Sequence, residues 1–176
     1  MKMLDLFRSR MIQTRNSRRK QVSAFKTIDS LEVRLLLTAP TLTDSEQYML
    51  ELINRARANP SAEVARLGIG LNDGVPANRT ISTAAKQPLA PQQQLITAAG
   101  LHSQDMLDRD YFDHTTLGAG TTFDVRVTNQ GYAWTRVAEN IGYAAKTVNA
   151  SQTVYIDEIH DGLIRSSGHR ENIMAP

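Results

Sequence analysis

The sequence has no cysteine and no long apolar run, and both absences exclude whole classes of protein. Without cysteine there is neither a disulfide bond nor a thiolate metal site, so a bound metal would need His, Asp, Glu and water as ligands. No stretch reaches the roughly 18 to 20 apolar residues that span a bilayer, so we predict no transmembrane segment. The length of 176 residues and the 41% apolar content suit one domain with a tail.

Charge is distributed unevenly along the chain, although the formal net charge is only +2. The first 40 residues are rich in Lys and Arg, whereas the rest is mildly acidic. A basic arm can bind nucleic acid through its phosphates. A cationic stretch followed by a short apolar segment is more typical of a targeting signal, so we predict export and no nucleic-acid partner.

The apolar segment from Leu31 to Ala39 contains Glu32 and Arg34 and is too short to span a membrane. It resembles the L-E-x-R-x-L-L-[ST]-A segment found near the start of many predicted surface proteins of one bacterial phylum. That resemblance implies a secreted or cell-surface protein. We therefore predict a disordered export segment over residues 1–39 and a folded domain over residues 40–176.

Local signals predict mostly helical structure in that domain. Thr43 and Glu46 have capping-box spacing, and Pro60 suits the first position of a second helix. Residues rich in Gly, Asn, Thr and Pro predict a long loop over 68–91, and we expect an extended piece over 132–143. Helices are predicted over about 44–58, 60–67, 91–109 and 125–131, and from 151 into Ser166-Ser167-Gly168. The Ser-Gly pair predicts a tight turn that presents His169.

Five short motifs follow one another in an order that resembles a known family. They are Ala99 to Met106 (A-x-x-H-S-x-D-M), Tyr111 to His114 (Y-F-x-H), Arg126 to Tyr132 (R-x-x-x-x-G-Y), Glu139-Asn140-Ile141, and Ser166 to Ile173 (S-x-G-H-R-x-N-I). This order is similar to that of the CAP superfamily, which comprises cysteine-rich secretory proteins, antigen 5 and pathogenesis-related 1. The bacterial SCP-like extracellular branch is the nearest match.

The resemblance implies an α+β fold, a three-layer α-β-α sandwich with a small antiparallel sheet. Family members continue past the last motif into strands that complete this sheet, whereas the sequence ends at Pro176. We therefore expect a CAP domain over residues 40–176 that is truncated at its C-terminus and lacks those strands. Local patterning alone predicts only a mostly helical α+β domain.

His114, Glu139 and His169 are the candidate site residues. Each alone has a simpler interpretation: a lone His is commonly a capping or core residue, and Glu139 could be a solvated loop acid. By resemblance they match three of four positions, two His and two Glu, that bind a divalent cation in some family members. The simplest alignment puts Ser166 at the fourth position, since Glu158 lies too far back. Two His and one carboxylate suit Zn²⁺ with an open water position, and Ca²⁺ is the other candidate.

Three functions follow from this reading. The first is a protein that binds an extracellular ligand, such as a lipid or a cell-surface component, in a polar cleft without turnover. The second is a metal-assisted hydrolase of peptide or ester bonds, in which Glu139 is a ligand or the general base. The third is an inactive truncated fragment.

Two other histidines are predicted to have no role in such a site. His102 shares a helical face with Leu95 and Met106, so we predict a structural hydrogen bond. His160, between Glu158 and Asp161, is predicted to lie on a solvated helix face.

Overall fold

The computed structural model describes residues 40–145 and 150–176, which belong to the compact unit Thr38–Pro176. The predicted export segment, residues 1–39, lies outside the described residues. Within them the chain forms six α-helices and a short 3₁₀ helix at Ala77–Arg79. The helices are α1 (Asp44–Ala58), α2 (Pro60–Arg66), α3 (Gln93–Asp108), α4 (Phe123–Asn129), α5 (Gln152–Arg165) and α6 (Ser167–Ile173).

The first two helices begin where their local signals predict. The hydroxyl of Thr43 accepts a hydrogen bond from the Glu46 amide at 3.3 Å, and the Glu46 carboxylate accepts one from the Thr43 amide at 2.8 Å. Asn59 ends α1 and caps α2 by accepting from the Ala62 amide at 3.1 Å, with Pro60 as the first helical residue. The predicted capping box and helix starts are therefore confirmed.

The hydrophobic core lies between α1, α2, α5 and α6. α5 packs against both α1 and α6, α2 packs against α1, and α3 packs against α4. Burying one large aliphatic side chain contributes roughly 1.5–3 kcal/mol relative to leaving it in water. The long loop after α2 joins this core through Ile81. The buried core residues are Ala56, Val64, Leu67, Ile81, Leu163, Ile164, Ile173 and Met174.

The guanidinium of Arg170 fastens the long loop to the junction of α5 and α6. It is fully buried and donates to the carbonyl oxygens of Leu71 at 2.9 Å, Ile164 at 2.7 Å and Arg165 at 3.1 Å. It also donates to the carbonyl of Asp73. Buried backbone carbonyls need such donors, so Arg170 fixes the position of α6.

Arg57 binds backbone carbonyls at the C-terminal end of α6. Its side chain is buried and donates to the carbonyls of Gln87 at 2.8 Å, Ile173 at 2.6 Å and Ala175 at 2.7 Å. Burial lowers the pKa of the Arg57 guanidinium below its ordinary value. Together the two arginines hold α6 at both ends.

The prediction of a three-layer α-β-α sandwich is wrong. Residues 40–145 and 150–176 contain helices and loops but no β-strand. Residues 132–143, predicted to be extended, are irregular. A strand is defined by pairing with a second strand, and no described segment pairs with this one. Nor does any helix in the described ranges have the length and apolar character needed to cross a membrane.

Candidate functional site

The structure brings the three predicted site residues together from different parts of the chain. His114 lies in the loop after α3, Glu139 in the segment between α4 and α5, and His169 within α6. The Nδ1 atom of His114 lies 2.9 Å from Oε2 of Glu139. The centroids of the His114 and His169 rings are 6.5 Å apart. We call these three residues, together with Arg126, the His/Glu cluster.

His169 is presented by a helix and not by a turn, so that prediction is wrong. Ser166 precedes α6 in an extended conformation, and the helix begins at Ser167 and continues through His169. Ser166 is the N-cap residue of α6, although its side chain makes no capping hydrogen bond. Because Arg170 and Arg57 hold α6, the imidazole of His169 is carried by a fixed element.

Arg126 completes the cluster, although the sequence did not identify it as a site residue. Its Nη2 donates to Oε1 of Glu139 at 2.7 Å, and both side chains are largely buried. Its Nη1 donates to the carbonyls of His114 at 3.0 Å and Thr121 at 2.9 Å. Arg126 lies in the R-x-x-x-x-G-Y motif, and that motif was the signal that could have identified it. Both oxygens of Glu139 therefore have partners.

Two asparagines fix the distance between α6 and the segment that carries Glu139. The Asn140 amide donates to the carbonyl of His169 at 3.2 Å. The Asn172 amide donates to Oδ1 of Asn140 at 2.9 Å. Asn140 belongs to the Glu139-Asn140-Ile141 motif and Asn172 to the Ser166–Ile173 motif, so a function of these two motifs is to hold the cluster together.

His102 positions the loop that carries His114. It is buried in α3, and its Nε2 lies 2.9 Å from the carbonyl oxygen of Asp113. Its ring also meets the Tyr111 ring edge-on, with centroids 6.1 Å apart. The predicted structural role of His102 is confirmed.

The two imidazoles of the cluster differ in environment. Burial, and secondly the charge of His114, lower the pKa of His169, so this imidazole is neutral at neutral pH. His114 is nearly half exposed, with 46% of its side chain accessible. An ionised carboxylate can only accept, so Nδ1 of His114 carries the proton directed at Glu139. In the neutral ring this leaves the Nε2 lone pair of His114 available.

The described residues place a different trio close enough to share a metal ion. Potential ligand atoms of Glu63, His160 and Asp161 lie within 4.8 Å of one another, which those of the His/Glu cluster do not. However, Arg55 and Arg66 donate to Glu63 at 2.8 and 2.5 Å, and Arg66 also pairs with Asp161. Two guanidinium groups thus already balance the two carboxylates, and a divalent cation would have to displace them.

His160 is the buried member of that trio, so its predicted place on a solvated face is wrong. Its side chain is fully buried where α5 packs on the core, and neither ring nitrogen has a hydrogen-bond partner in the structure. Nδ1 lies 3.5 Å from Oδ1 of Asp161 and 3.9 Å from Oε1 of Glu63. Burial lowers the pKa of His160, although both carboxylates raise it.

Apolar space borders the His/Glu cluster. Glu139 and Arg126 line a cavity of about 350 Å³ whose other walls include Leu95, Phe123 and Val127. A groove of about 520 Å³ contains Phe112 and Tyr143, which are close in sequence to His114 and Glu139. Its other lining residues are Ser103, Met106, Leu107, Asp110, Tyr111 and Gly142. Charged groups next to apolar walls are typical of sites for small molecules.

Comparison with known proteins gives one family and one relative. The model of the CAP family, described as the cysteine-rich secretory protein family, matches residues 50–176. The uncharacterized protein YkwD of Bacillus subtilis strain 168 is 33% identical over 90 residues, which are 51% of this chain and 32% of that protein. The aligned part thus spans about a third of the length of this relative. No solved structure matches the chain.

Proposed function

This chain belongs to the cysteine-rich secretory protein (CAP) family, and from this premise we propose that it binds an extracellular ligand at the His/Glu cluster without turnover. The observation that carries the proposal is the pairing of Glu139 with both His114 and Arg126. A carboxylate held in this way is suited to orienting neighbouring groups. The basic N-terminal region and the apolar segment after it support a secreted or cell-surface location.

Ligand binding is supported by the surroundings of the cluster. Arg126 and Glu139 line the apolar cavity of about 350 Å³, and the partly exposed imidazole of His114 is hydrogen-bonded to Glu139. An amphipathic molecule, such as a lipid with a polar head or another cell-surface component, has the matching chemistry. The fold class alone would not support this conclusion, since one fold hosts many functions.

A divalent metal bound by His114 and His169 alone fits the cluster better than a metal bound by His114, Glu139 and His169 together. Metal-binding histidines commonly donate their second ring N–H to a carboxylate, which is the relation of His114 Nδ1 to Glu139. Glu139 would then orient His114, while His114 and His169 supply neutral nitrogen ligands. When bound, Zn²⁺ would supply Lewis-acid attraction for an oxygen of the ligand.

Hydrolysis is the weaker candidate because of how Glu139 is held. A general base accepts a proton from water, and each oxygen of Glu139 already accepts one hydrogen bond, which leaves only its second lone pair for a water molecule. We therefore do not assign Glu139 a catalytic role.

The deciding experiment is calorimetric titration of the full chain with Zn²⁺ and with Ca²⁺. We compare the wild type with a His114→Ala/His169→Ala variant, and with Arg165→Gln as a control at an exposed residue outside the cluster. Saturable Zn²⁺ binding that is lost only in the double variant would support metal binding by the two imidazoles. Thermal unfolding of each variant verifies that it remains folded.

A second titration tests ligand binding without metal. Vesicles of a neutral phospholipid are added to the same proteins in the presence of a chelator, and bound protein is measured by sedimentation. The proposal expects binding by the wild type that falls at least about tenfold in Arg126→Gln, because this change leaves the buried Glu139 charge unpaired. If the folded wild type binds neither metal nor vesicles, the His/Glu cluster is only a structural network.

A further inference from the structure

A separate cavity of about 720 Å³ lies between the long loop and the C-terminal end of α6. Its walls include Arg79, Lys86 and Arg136, together with the carboxylate of Glu171. Such a volume is within the roughly 300–1,000 Å³ range of small-molecule sites. Because three cationic side chains face one acidic one, the cavity has an excess of positive charge.

Two of the three cations keep their charge unbalanced. Nη1 of Arg79 lies 3.2 Å from Oε2 of Glu171, so this pair is mutually neutralised. The ammonium group of Lys86 donates to the carbonyls of Ser82 at 2.9 Å and Ala84 at 2.7 Å, which carry no charge. An ammonium group has three N–H donors, so one remains for a ligand.

Of the two unbalanced cations, Lys86 and Arg136, the guanidinium of Arg136 has more hydrogen-bond donors available for an anion. Among the described residues it has no hydrogen-bond or ion-pair partner. A guanidinium group offers five N–H donors in a planar fork that matches the two oxygens of a carboxylate or phosphate. Asn78 also lines this cavity, and its side-chain amide can add neutral donors.

We propose that this cavity binds a small organic anion through a phosphoryl or carboxylate group, with Arg136 and Lys86 as the principal contacts. Convergent cationic groups in a concave surface attract anions more strongly than isolated surface charges. The cavity is much larger than a lone inorganic ion, so the anionic group belongs to a larger molecule. No residue of the His/Glu cluster lines this cavity, although Arg136 also lines the cavity of about 350 Å³ that Arg126 and Glu139 border. The proposal goes beyond the function proposed above.

The test is isothermal titration of the full chain with inorganic phosphate and with succinate at constant ionic strength. The variants are Arg136→Gln and Lys86→Gln/Arg136→Gln, and the matched control is Arg165→Gln, which removes the same charge from a residue that does not line the cavity. We expect affinity to fall about tenfold in the single variant and to be lost in the double variant, because these changes remove the charge-assisted hydrogen bonds to the anion.

Each outcome decides the proposal. Binding of succinate alone, of phosphate alone or of both, with Arg165→Gln unaffected, supports an anion site and identifies which group it takes. No binding of either probe at millimolar concentration overturns it. So does an equal loss in Arg136→Gln and Arg165→Gln, because this would reflect general charge attraction only. Arg136 is exposed, so Arg136→Gln should unfold at the same temperature as the wild type. The single variant therefore tests the proposal even if Lys86→Gln disturbs the loop that carries it.

Discussion

His160 is the titratable side chain whose protonation should disturb the fold most. It is fully buried, and the nearest charged groups are Glu63 and Asp161, which are themselves paired with Arg55 and Arg66. Each carboxylate is thus shared with a guanidinium and cannot fully stabilise an imidazolium. Burial consequently lowers the pKa of His160, and the imidazole is neutral in the folded protein at neutral pH.

The protein should therefore lose stability as pH falls below about 6.5. The unfolded pKa of His160 is near 6.5 and the folded pKa is lower, so the unfolded state binds more protons in this range. The stability due to the neutral imidazole is complete above pH 6.5 and is lost as pH falls through the folded pKa. Urea unfolding between pH 7 and pH 5 measures this slope.

Two variants separate His160 from other groups. His160→Leu, of similar volume, should reduce the slope, and His169→Gln should reduce it further because the pKa of His169 is also lowered. The carboxyl pKa values of Glu63 and Asp161 are lowered as well, but stability gained from them is lost only below their unfolded values of 4.5 and 3.8. An unchanged slope in His160→Leu would contradict the assignment.

The site residues show what a sequence can and cannot supply. His114, Glu139 and His169 were identified from motifs, and the fold does bring them together. That Arg126 would occupy the second oxygen of Glu139 could not be predicted, because this contact depends on the path of the loop between them. For His160, the charged residues Glu158 and Asp161 led to the wrong prediction, whereas the packing of α5 buries this side chain together with Leu163 and Ile164.

Helices were predictable from the sequence because their signals are local. The capping box at Thr43, the proline at position 60 and the apolar spacing of α3 each lie within a few residues of the helix that they specify. A sheet requires partners that are distant in sequence, and the sandwich was inferred from resemblance alone. In the described ranges the segment from 132 to 143 is instead held by side chains, including the Asn140 and Asn172 amides.

Gly142 lets the segment of residues 132–143 lie directly on α5. A Cβ atom added at this position would overlap Cγ2 of Ile159, a branched and stiff side chain. Gly142→Ala should therefore destabilise the protein by about 1–3 kcal/mol, the usual cost of overpacking, and should weaken any binding at the neighbouring Glu139. Urea unfolding measures the first effect, and the calorimetric titration described above measures the second.

Gly162 provides the matched control because it lies on α5 itself. A Cβ atom at Gly162 would meet nothing within 4 Å, so Gly162→Ala should stabilise the helix by roughly 0.5–1 kcal/mol. Adding Ile159→Ala to Gly142→Ala removes the overlapping methyl group and should restore binding. The double variant should still be less stable than the wild type, because Ile159 packs against the hydrophobic core. Equal stability of the two alanine variants would show that α5 and the segment do not pack as described.

The described surface has an apolar region formed by Leu107, Phe112 and Tyr143. Their exposed fractions are 72%, 55% and 72%, and all three line the groove of about 520 Å³. The rings of Phe112 and Tyr143 also contact each other, with centroids 6.3 Å apart. Adjacent exposed apolar side chains mark an interaction surface or a cause of association, whereas single ones are ordinary.

The full chain should therefore self-associate as its concentration rises, through this groove. Leu107→Lys combined with Tyr143→Ser should weaken association by about tenfold or more, because a few large apolar residues usually dominate such contacts. Sedimentation velocity over a range of concentrations measures it, with Leu89→Lys as the control, since Leu89 is 45% exposed but outside the groove. A monomer at every concentration would contradict the prediction. Association that Leu89→Lys weakens equally would show that net charge, and not this groove, controls it.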